Sequence, residues 1–465
     1  MRRRQFLQAL ALGAARAAFP QSTRPPNIVF FLADDLGWGD PGCYGNPQIM
    51  TPAINSLAKQ GTLFTQFYAN APVCSPSRAA FMTGQFPGRL GIHSALGEGE
   101  LNEERGQAGF LNPNEMTVPR MLKNAGYTTA HFGKWHLGSG PGAPPPSAYG
   151  IDEEVAVNSN GPNDKKWDVR DPYFRANSTS LIVDESIKFI EKNKNRPFYV
   201  NAWSLLPHAT LNPTEEQMKP YARLGPKGVP FKSAMQIYYA SVTEMDKQLG
   251  RLLARLDALG LADNTVVFLS SDNGPEDIHI LNASHSGVGS TGPFRGRKRS
   301  LYEGGVRMPF IVRWPKHIRA GHVDSTSVVS GVDFLPTVAA LTNTPVPASA
   351  KPDGEDRSPV LLNGPRPRTK PLFWEWRLAV TGDIIHHSPR LATRSGDWKL
   401  LMNPDRSRVE LYDIPHDPTE LDNQAKTHPD VVERLATPLL AWQKSLPQGP
   451  IDPRSGKNNY PWPKE

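Results

Sequence analysis

Four short apolar runs, each ending in polar or charged residues, constrain this chain more than any other feature. Asn27–Ala33 runs into Asp34-Asp35, and residues 128–132 run into Gly133-Lys134-Trp135-His136. Residues 197–203 lead within five residues to His208, and residues 265–269 pass through two serines into Asp272-Asn273. Short continuous apolar runs bounded by turn signals suit strands buried on both faces, as in a parallel sheet. Helical patterns lie between them. Thr51-Pro52 caps and starts a helix over Ile54, Leu57 and Ala58 that Gly61 stops. Thr117 opens another through Met121, Leu122 and Ala125 to Gly126, and residues 179–193 carry Ile182, Ser186, Phe189 and Ile190 at helical spacing. The longest, residues 234–259, places Leu249, Leu252, Leu253 and Leu256 on one side. Strands alternating with helices predict an α/β fold with an open, mostly parallel central sheet flanked by helices. Ligands of such sheets bind outside the carboxyl ends of the strands, which is where these carboxylates, the lysine and the histidines fall.

After about residue 345 the character changes. Proline-rich spacers precede residues 372–376, 390–394, 398–401 and 410–413, which predict a small antiparallel sheet closed by a helix near 429–445. The expected division is a catalytic domain over 25–350 and a C-terminal subdomain over 366–450. With 465 residues, 38% of them hydrophobic and 21% charged, the chain can bury a sizeable core and is not a disordered, collagen-like or coiled-coil protein. No apolar run approaches the length of about eighteen residues that a membrane-spanning helix needs.

The formal charge of +7 invites a nucleic-acid reading, but four arginines and no acid lie in residues 1–18. That segment resembles an export signal, with a charged start, a short stretch of small apolar residues and Ala15-Arg16-Ala17. Arg3-Arg4-Gln5-Phe6-Leu7 resembles the twin-arginine type, read by a translocase that exports folded proteins. Removing the segment lowers the charge from +7 to +3, an ordinary surface, so no nucleic-acid partner is expected and the place of action is the periplasm or the medium. The two cysteines, Cys43 and Cys74, can be bridged in an exported protein, but one disulfide adds little to so large a core.

The surroundings of Cys74 indicate another fate. In Val73-Cys74-Ser75-Pro76-Ser77-Arg78, a serine before a proline at the first helical position reads as a helix start. Cys74 then faces the positive end of a helix dipole, which on residue types alone suits a low-pKa thiolate nucleophile. Asp34, Asp35, Asp272 and Asn273 are hard oxygen donors that suit calcium or magnesium rather than zinc. Singly, each has a plainer reading: Asp34-Asp35 and Asp272-Asn273-Gly274 as turns, Gly133–His136 as an exposed loop, His208 as a surface or core histidine. Arg295, Arg297, Lys298 and Arg299 taken alone read as a solvated face. In order, and all after strands, they point to one site.

Cys74-x-Pro76-Ser77-Arg78 followed by Thr83-Gly84 resembles the signature of the formylglycine-dependent sulfatase family, within the alkaline-phosphatase-like superfamily. Asp34-Asp35-Leu36-Gly37-Trp38-Gly39-Asp40 is similar to that family's first metal motif, and residues 126–138, GYTTAHFGKWHLG, to its second signature. Phe132 is bulkier than usual there. Ser271-Asp272-Asn273-Gly274 resembles the second metal pair, residues 296–305 the late lysine motif, and Leu411-Tyr412-Asp413 with Asp417-Pro418 and Glu420 the C-terminal domain. The branch it most resembles is that of arylsulfatases and N-acetylgalactosamine-6-sulfatases.

The resemblance implies an alkaline-phosphatase-like fold and one divalent ion, usually Ca2+ with Mg2+ as the alternative. The ion would be held by Asp34, Asp35, Asp272 and Asn273 and touched by residue 74. It implies that a maturation enzyme oxidises Cys74 to formylglycine, whose hydrate attacks sulfur, expels the alcohol and then releases sulfate. Arg78 and His136 would hold the hydrate, with His136 as base. Lys134 and Lys298 would clamp the sulfate oxygens, and His208 would assist the leaving oxygen. The implied substrate is a sulfated saccharide or an aryl sulfate. The dispersed basic residues favour exo-acting removal of sulfate from short saccharides over tracking along a polymer. The rivals are a formylglycine-dependent phosphodiesterase or phosphonate monoester hydrolase, a cysteine hydrolase, and an inactive saccharide-binding homologue.

Overall fold

The computed structural model describes residues 24–458 except 98, 141, 159–165, 228–231, 281, 282 and 284. The signal-like residues 1–18 lie outside the described residues. Nine strands form the main sheet: β1 Asn27–Ala33, β2 Thr62–Tyr68, β3 Thr128–Lys134, β4 Glu153–Val157, β5 Phe198–Trp203, β6 Thr265–Ser271, β7 Arg307–Arg313, β8 His322–Asp324 and β9 Val329–Ser330. Their order is β4-β3-β5-β1-β6-β7-β2-β8, with β9 also on β2. Only β7 runs against the rest, antiparallel to both β6 and β2.

Alternate residues of β1 enter two different cores, which explains its unbroken apolar run. Val29 and Phe31 pack with the helices Pro52–Gln60, Phe174–Asn193 and Ala234–Ala258. Ile28, Phe30 and Leu32 pack with the helices Cys74–Thr83, Val118–Asn124 and Phe334–Leu341. The Phe30 ring meets Phe81 at 5.0 Å and Phe334 at 4.5 Å. At about 25 cal/mol per Å² of apolar surface, such double burial outweighs any helix propensity in the run.

Three local expectations need correction. Thr51 does not cap the helix Pro52–Gln60. The carboxylate of Asp246 accepts from the Ala53 and Ile54 N–H groups at 2.9 and 2.7 Å instead, a long-range cap that adjacency in sequence does not reveal. Phe174–Asn193 starts five residues before the expected 179. The helix at the signature starts at Cys74, so Pro76 is its third residue and Ser75 is not its cap.

Four more strands, β10 Leu372–Glu375, β11 Leu391–Ser395, β12 Trp398–Met402 and β13 Glu410–Asp413, form a separate antiparallel sheet. The helix Pro429–Ser445 covers one face through Val432, Leu435 and Leu439 on Leu391, Leu400 and Leu411. The other face, Leu372, Trp374, Ala392 and Leu401, packs on Tyr68, Ala80, Tyr302 and Val306 of the large domain. A buried charge cluster crosses this boundary. Lys399 Nζ lies 2.8 Å from Glu303 and 2.9 Å from Glu420, all three side chains fully buried. Glu303 also accepts from Tyr68 Oη at 2.7 Å and pairs with Arg307 at 3.1 Å. Lys399→Ala would leave two buried carboxylates short of one cation, at a cost of about 3–5 kcal/mol. The expected result is an apparent Tm lowered by several degrees in a thermal melt, with no comparable drop for the exposed Lys444→Ala; equal melts for the two would refute the account.

Candidate active site

The carboxyl ends of the strands deliver the charged residues to one place. Asp34 and Asp35 follow β1, Lys134 ends β3 with His136 just beyond, His208 follows β5, and Asp272 and Asn273 follow β6. Cys74 and Arg78 lie in the helix after β2. Because β7 is reversed, the loop before it brings Lys298 to the same edge. The turn at Asp35 has φ +65° and is fixed by its N–H on Asp272 Oδ1 at 3.2 Å and by the next N–H on Ser271 Oγ at 2.9 Å. Gly133 has φ +109°, and a Cβ there would stand 2.0 Å from the Trp203 carbonyl oxygen, so only glycine lets β3 place Lys134. Phe132 is buried edge-on to Phe189 at 6.1 Å, and its bulk is absorbed in the core beneath the helix Phe174–Asn193.

Three carboxylates and three cations interlock. Lys134 Nζ meets Asp34 Oδ2 at 2.6 Å. Arg78 places Nε and Nη2 on Asp272 Oδ2 at 2.9 and 2.7 Å, gives Nη1 to the Lys134 carbonyl at 2.8 Å, and stands 5.1 Å over the Trp203 ring. Lys298 Nζ contacts both oxygens of Asp35, at 2.7 and 2.6 Å. Burial alone would raise the Asp34 carboxyl, but Lys134 and Arg78 hold it far below the usual range. Burial pushes Asp35 up to about 7 despite Lys298, with the neighbouring Asp34 charge adding to the rise.

The thiol does not behave as an activated nucleophile. Burial raises the Cys74 pKa above the ordinary value even though Lys134 and Lys298 oppose it. This removes the low-pKa thiolate reading. Cys43 and Cys74 are both free, so no bridge joins them.

The donor set fits a hard divalent cation. Asp34 Oδ1 and Asn273 Oδ1 are buried with no hydrogen-bond partner. Asn273 spends its Nδ2 on Asp35 Oδ1 at 2.7 Å and on the Gly274 carbonyl at 2.9 Å, which leaves Oδ1 free as a ligand. Ligand atoms of Asp34, Cys74 and Asp272 lie within 4.8 Å of one another, as do those of Asp34, Asp35 and His208. Orphaned buried oxygens facing a carboxylate cluster are what a calcium or magnesium site requires.

Burial disfavours the charged form of both histidines, and carbonyl partners set their proton positions. His136 Nε2 lies 3.1 Å from the Leu96 carbonyl, which only accepts, so the proton is on Nε2 and Nδ1 keeps a lone pair with no partner. Burial, then Lys134 and Arg78, push its pKa well down. His208 Nδ1 donates to the Ala209 carbonyl at 2.6 Å, leaving Nε2 3.8 Å from Asp35 Oδ2. Burial, Lys298 and Lys134 lower it likewise. His208 thus sits beside the centre even though Ala209-Thr210 replaces the family context.

These groups floor a cavity of about 690 Å³ lined by Cys74, His136, His208 and Lys298. Residues that sequence reasoning missed also line it: Glu276, Arg105, Trp376 and Arg454. Glu276 lies 3.6 Å from Lys298 and 3.1 Å from Arg299, which hold its pKa down to about 2 against the opposing effect of burial. An acid four residues after Asp272, facing a run of three basic residues, is a signal that charge balance offered. Arg105 and Arg454 carry no local signal; only the fold brings them here.

Residues 26–344 match the sulfatase family, and residues 292–445 match the family of N-sulphoglucosamine sulphohydrolase C-terminal regions. Over 418 residues the chain is 36% identical to N-acetylgalactosamine-6-sulfatase of Rattus norvegicus, covering 84% of this chain and 75% of the relative. It is 30% identical over 498 residues to N-acetylgalactosamine-6-O-sulfatase of Bacteroides thetaiotaomicron, covering 90% of this chain and 93% of that one. The crystal structure of Ps i-CgsB with k-i-k-neocarrahexaose superposes with a TM-score of 0.77 at 27% identity, covering 91% and 94% of the two chains. Sequence, fold and a cation-clamped carboxylate centre agree: the chain belongs to the sulfatase family and is a sulfuric ester hydrolase with the alkaline-phosphatase-like fold.

Proposed function

We propose that this enzyme removes sulfate from the end of a short sulfated saccharide, with formylglycine at position 74 as the nucleophile. The observation that carries the reading is the placement of Cys74, 2% exposed at the floor of a cavity that the segment after β10 and the C-terminal segment around Asp452 help to wall. A terminal sulfate can be inserted there, whereas an internal sulfate would have to bring two flanking chains down with it. N-acetylgalactosamine-6-sulfatases among the relatives support a carbohydrate sulfate as substrate class.

A divalent ion would be held by Asp34, Asp35, Asp272 and Asn273 with residue 74, and this set of carboxylate and amide oxygens suits Ca2+. Bound there, it supplies Lewis acidity to the oxygens of residue 74 and of the ester. Lys134 and Lys298 donate to sulfate oxygens as charge grows on them. Arg78, fixed on Asp272 and the Lys134 carbonyl, holds residue 74 in line. His136 Nδ1 takes the proton whose loss frees sulfate, and His208 Nε2 faces the ester oxygen. The incoming anion raises the proton affinity of both imidazoles.

Formylglycine is made by a maturation enzyme, and a side chain this buried must be met before the chain folds. Export by the twin-arginine translocase, which takes folded proteins, then places maturation ahead of export, with the periplasm or the medium as destination. No helix among the described residues is long and apolar enough to cross a membrane.

The deciding assay uses enzyme coexpressed with a maturation system, a defined 6-sulfated galactosamine oligosaccharide, its parent polymer and a matched phosphate monoester and diester. Expected are formylglycine at position 74 by peptide mass spectrometry, release of terminal sulfate, and a folded but inactive Cys74→Ala. Full activity with an intact thiol, faster internal desulfation of the polymer, or faster phosphate ester cleavage would each sink the reading.

Ca2+ added to chelator-treated enzyme is expected to restore turnover and raise Tm. Asp272→Ala should lose both responses; turnover that survives chelation would exclude the ion. Changing Arg3 and Arg4 together to lysine should strand folded precursor in the cytoplasm, and an undiminished exported fraction on immunoblots would point to the general secretory route.

A further inference from the structure

Residues 93–97 and 99–107 are locked to the catalytic floor and hold one arginine that has no acidic partner among the described residues. Leu96 donates its N–H to Ser75 Oγ at 2.9 Å and receives His136 Nε2 on its carbonyl at 3.1 Å. Gln107 and Asn102 brace the same loop from within: Ser94 N–H on Gln107 Oε1 at 2.8 Å, and Gly97 N–H on Asn102 Oδ1 at 3.0 Å. On this frame Arg105 Nη1 donates to the Ala95 carbonyl at 2.9 Å and to Ser94 Oγ at 3.4 Å. Among the described residues no carboxylate lies within ion-pair distance of it.

Charge accounting along the cavity isolates this residue. Lys298 is matched by Asp35 at 2.6 Å, Arg299 by Glu276, and Arg454 by Asp452 at 2.9 Å. Arg105 lines the same cavity and remains over. Burial and then the Arg299 charge lower its pKa, and Glu104 offsets this in part without forming an ion pair. An anion seated on Arg105 would offset both effects. A half-buried guanidinium anchored through one nitrogen, with its remaining donors unspent, is a preorganised partner for such a group.

We propose that Arg105 forms a second anion site, and that the preferred substrate carries a second anionic group, a further sulfate ester or a carboxylate, beside the sulfate that is removed. This rests on the reading of the cavity as a saccharide-sulfate site. It makes Arg105 a specificity residue that does not touch the reacting atoms.

The test compares kcat/KM on 4-nitrophenyl sulfate, N-acetylgalactosamine 6-sulfate, its 4,6-disulfate, and a disaccharide joining the 6-sulfated sugar to a uronic acid. Wild type is expected to favour at least one doubly charged ester over the 6-sulfate by about tenfold, the scale of one charge-assisted contact. The preferred ester tells sulfate from carboxylate. Arg105→Gln should erase that preference through KM, losing at least about tenfold more on the doubly charged ester than on 4-nitrophenyl sulfate. A readout without turnover is calorimetric binding of the same ester to Cys74→Ala, which Arg105→Gln should weaken by a similar factor. Wild type indifferent to the second charge, or equal losses on every ester, would overturn the proposal. Wild type with formylglycine in place that cleaves none of these esters would overturn the saccharide-sulfate reading beneath it.

Discussion

Everything at the strand ends depends on Arg78 and Lys134 neutralising Asp34 and Asp272. These four side chains are fully buried, and their ion pairs at 2.6 and 2.7 Å stand where no water competes. Removing one member would strand the opposite charge in a low-dielectric interior, at a cost of several kcal/mol. The arrangement therefore serves two ends. It lets a parallel sheet terminate in adjacent carboxylates, which repel one another when bare. It also fixes those carboxylates, and the orphaned Oδ1 atoms of Asp34 and Asn273 among them, in the geometry a divalent ion needs. Lys298 plays the same part for Asp35 from the opposite wall.

What the sequence made legible follows from this double burial. β1, β3, β5 and β6 read clearly because both faces are covered, so their apolar runs are continuous and the polar residues begin where the sheet ends. The four C-terminal strands were legible from their aromatic and apolar segments between prolines. β7 was not, because it begins and ends in arginine. Those arginines are buried all the same, Arg307 against Glu303 four residues before it at 3.1 Å and Arg313 against Asp257 at 2.8 Å, the second a pairing that no local window contains. β2 was hidden by its threonines and glutamine; Gln66 is buried because it donates to the Ser325 carbonyl at 2.7 Å and accepts from Arg394. The Asp246 cap is of the same kind. Long-range polar satisfaction was illegible, and apolar patterning was not.

The site divides along the same line. Residues delivered by the strand ends of the main sheet stood out, whereas Trp376 comes from the end of β10 in the smaller sheet, and Arg105 and Arg454 come from outside both sheets, where only tertiary packing sets their place. Loop residues of this kind line the upper cavity, where substrates differ, while the strand-end residues hold the centre, where the chemistry is common.

The C-terminal sheet takes part in that chemistry through one loop. Residues 295–303 carry Lys298 and Arg299; the large domain holds the backbone of both, through the Pro275 and Pro72 carbonyls, and the smaller sheet's side holds the two ends of the loop. Arg295 stacks 3.8 Å over Tyr302 and donates to the Ile385 carbonyl at 2.7 Å. Gly296 N–H meets His386 Nδ1 at 3.1 Å, Leu301 N–H meets Ser388 Oγ at 2.9 Å, and Glu303 N–H meets Glu420 at 2.6 Å. Lys399 then ties Glu303 and Glu420 together from β12. A lysine placed on Asp35 at 2.6 Å, and proposed to meet a sulfate oxygen, cannot ride on an unsupported loop, since its four-carbon stem already adds freedom. The large domain presents the carboxylates from rigid strand ends, and the small sheet supplies the matching rigidity for the opposing cation. Folding of the second unit is in that sense a condition for placing Lys298, and the buried Glu303-Lys399-Glu420 cluster is where the two requirements meet.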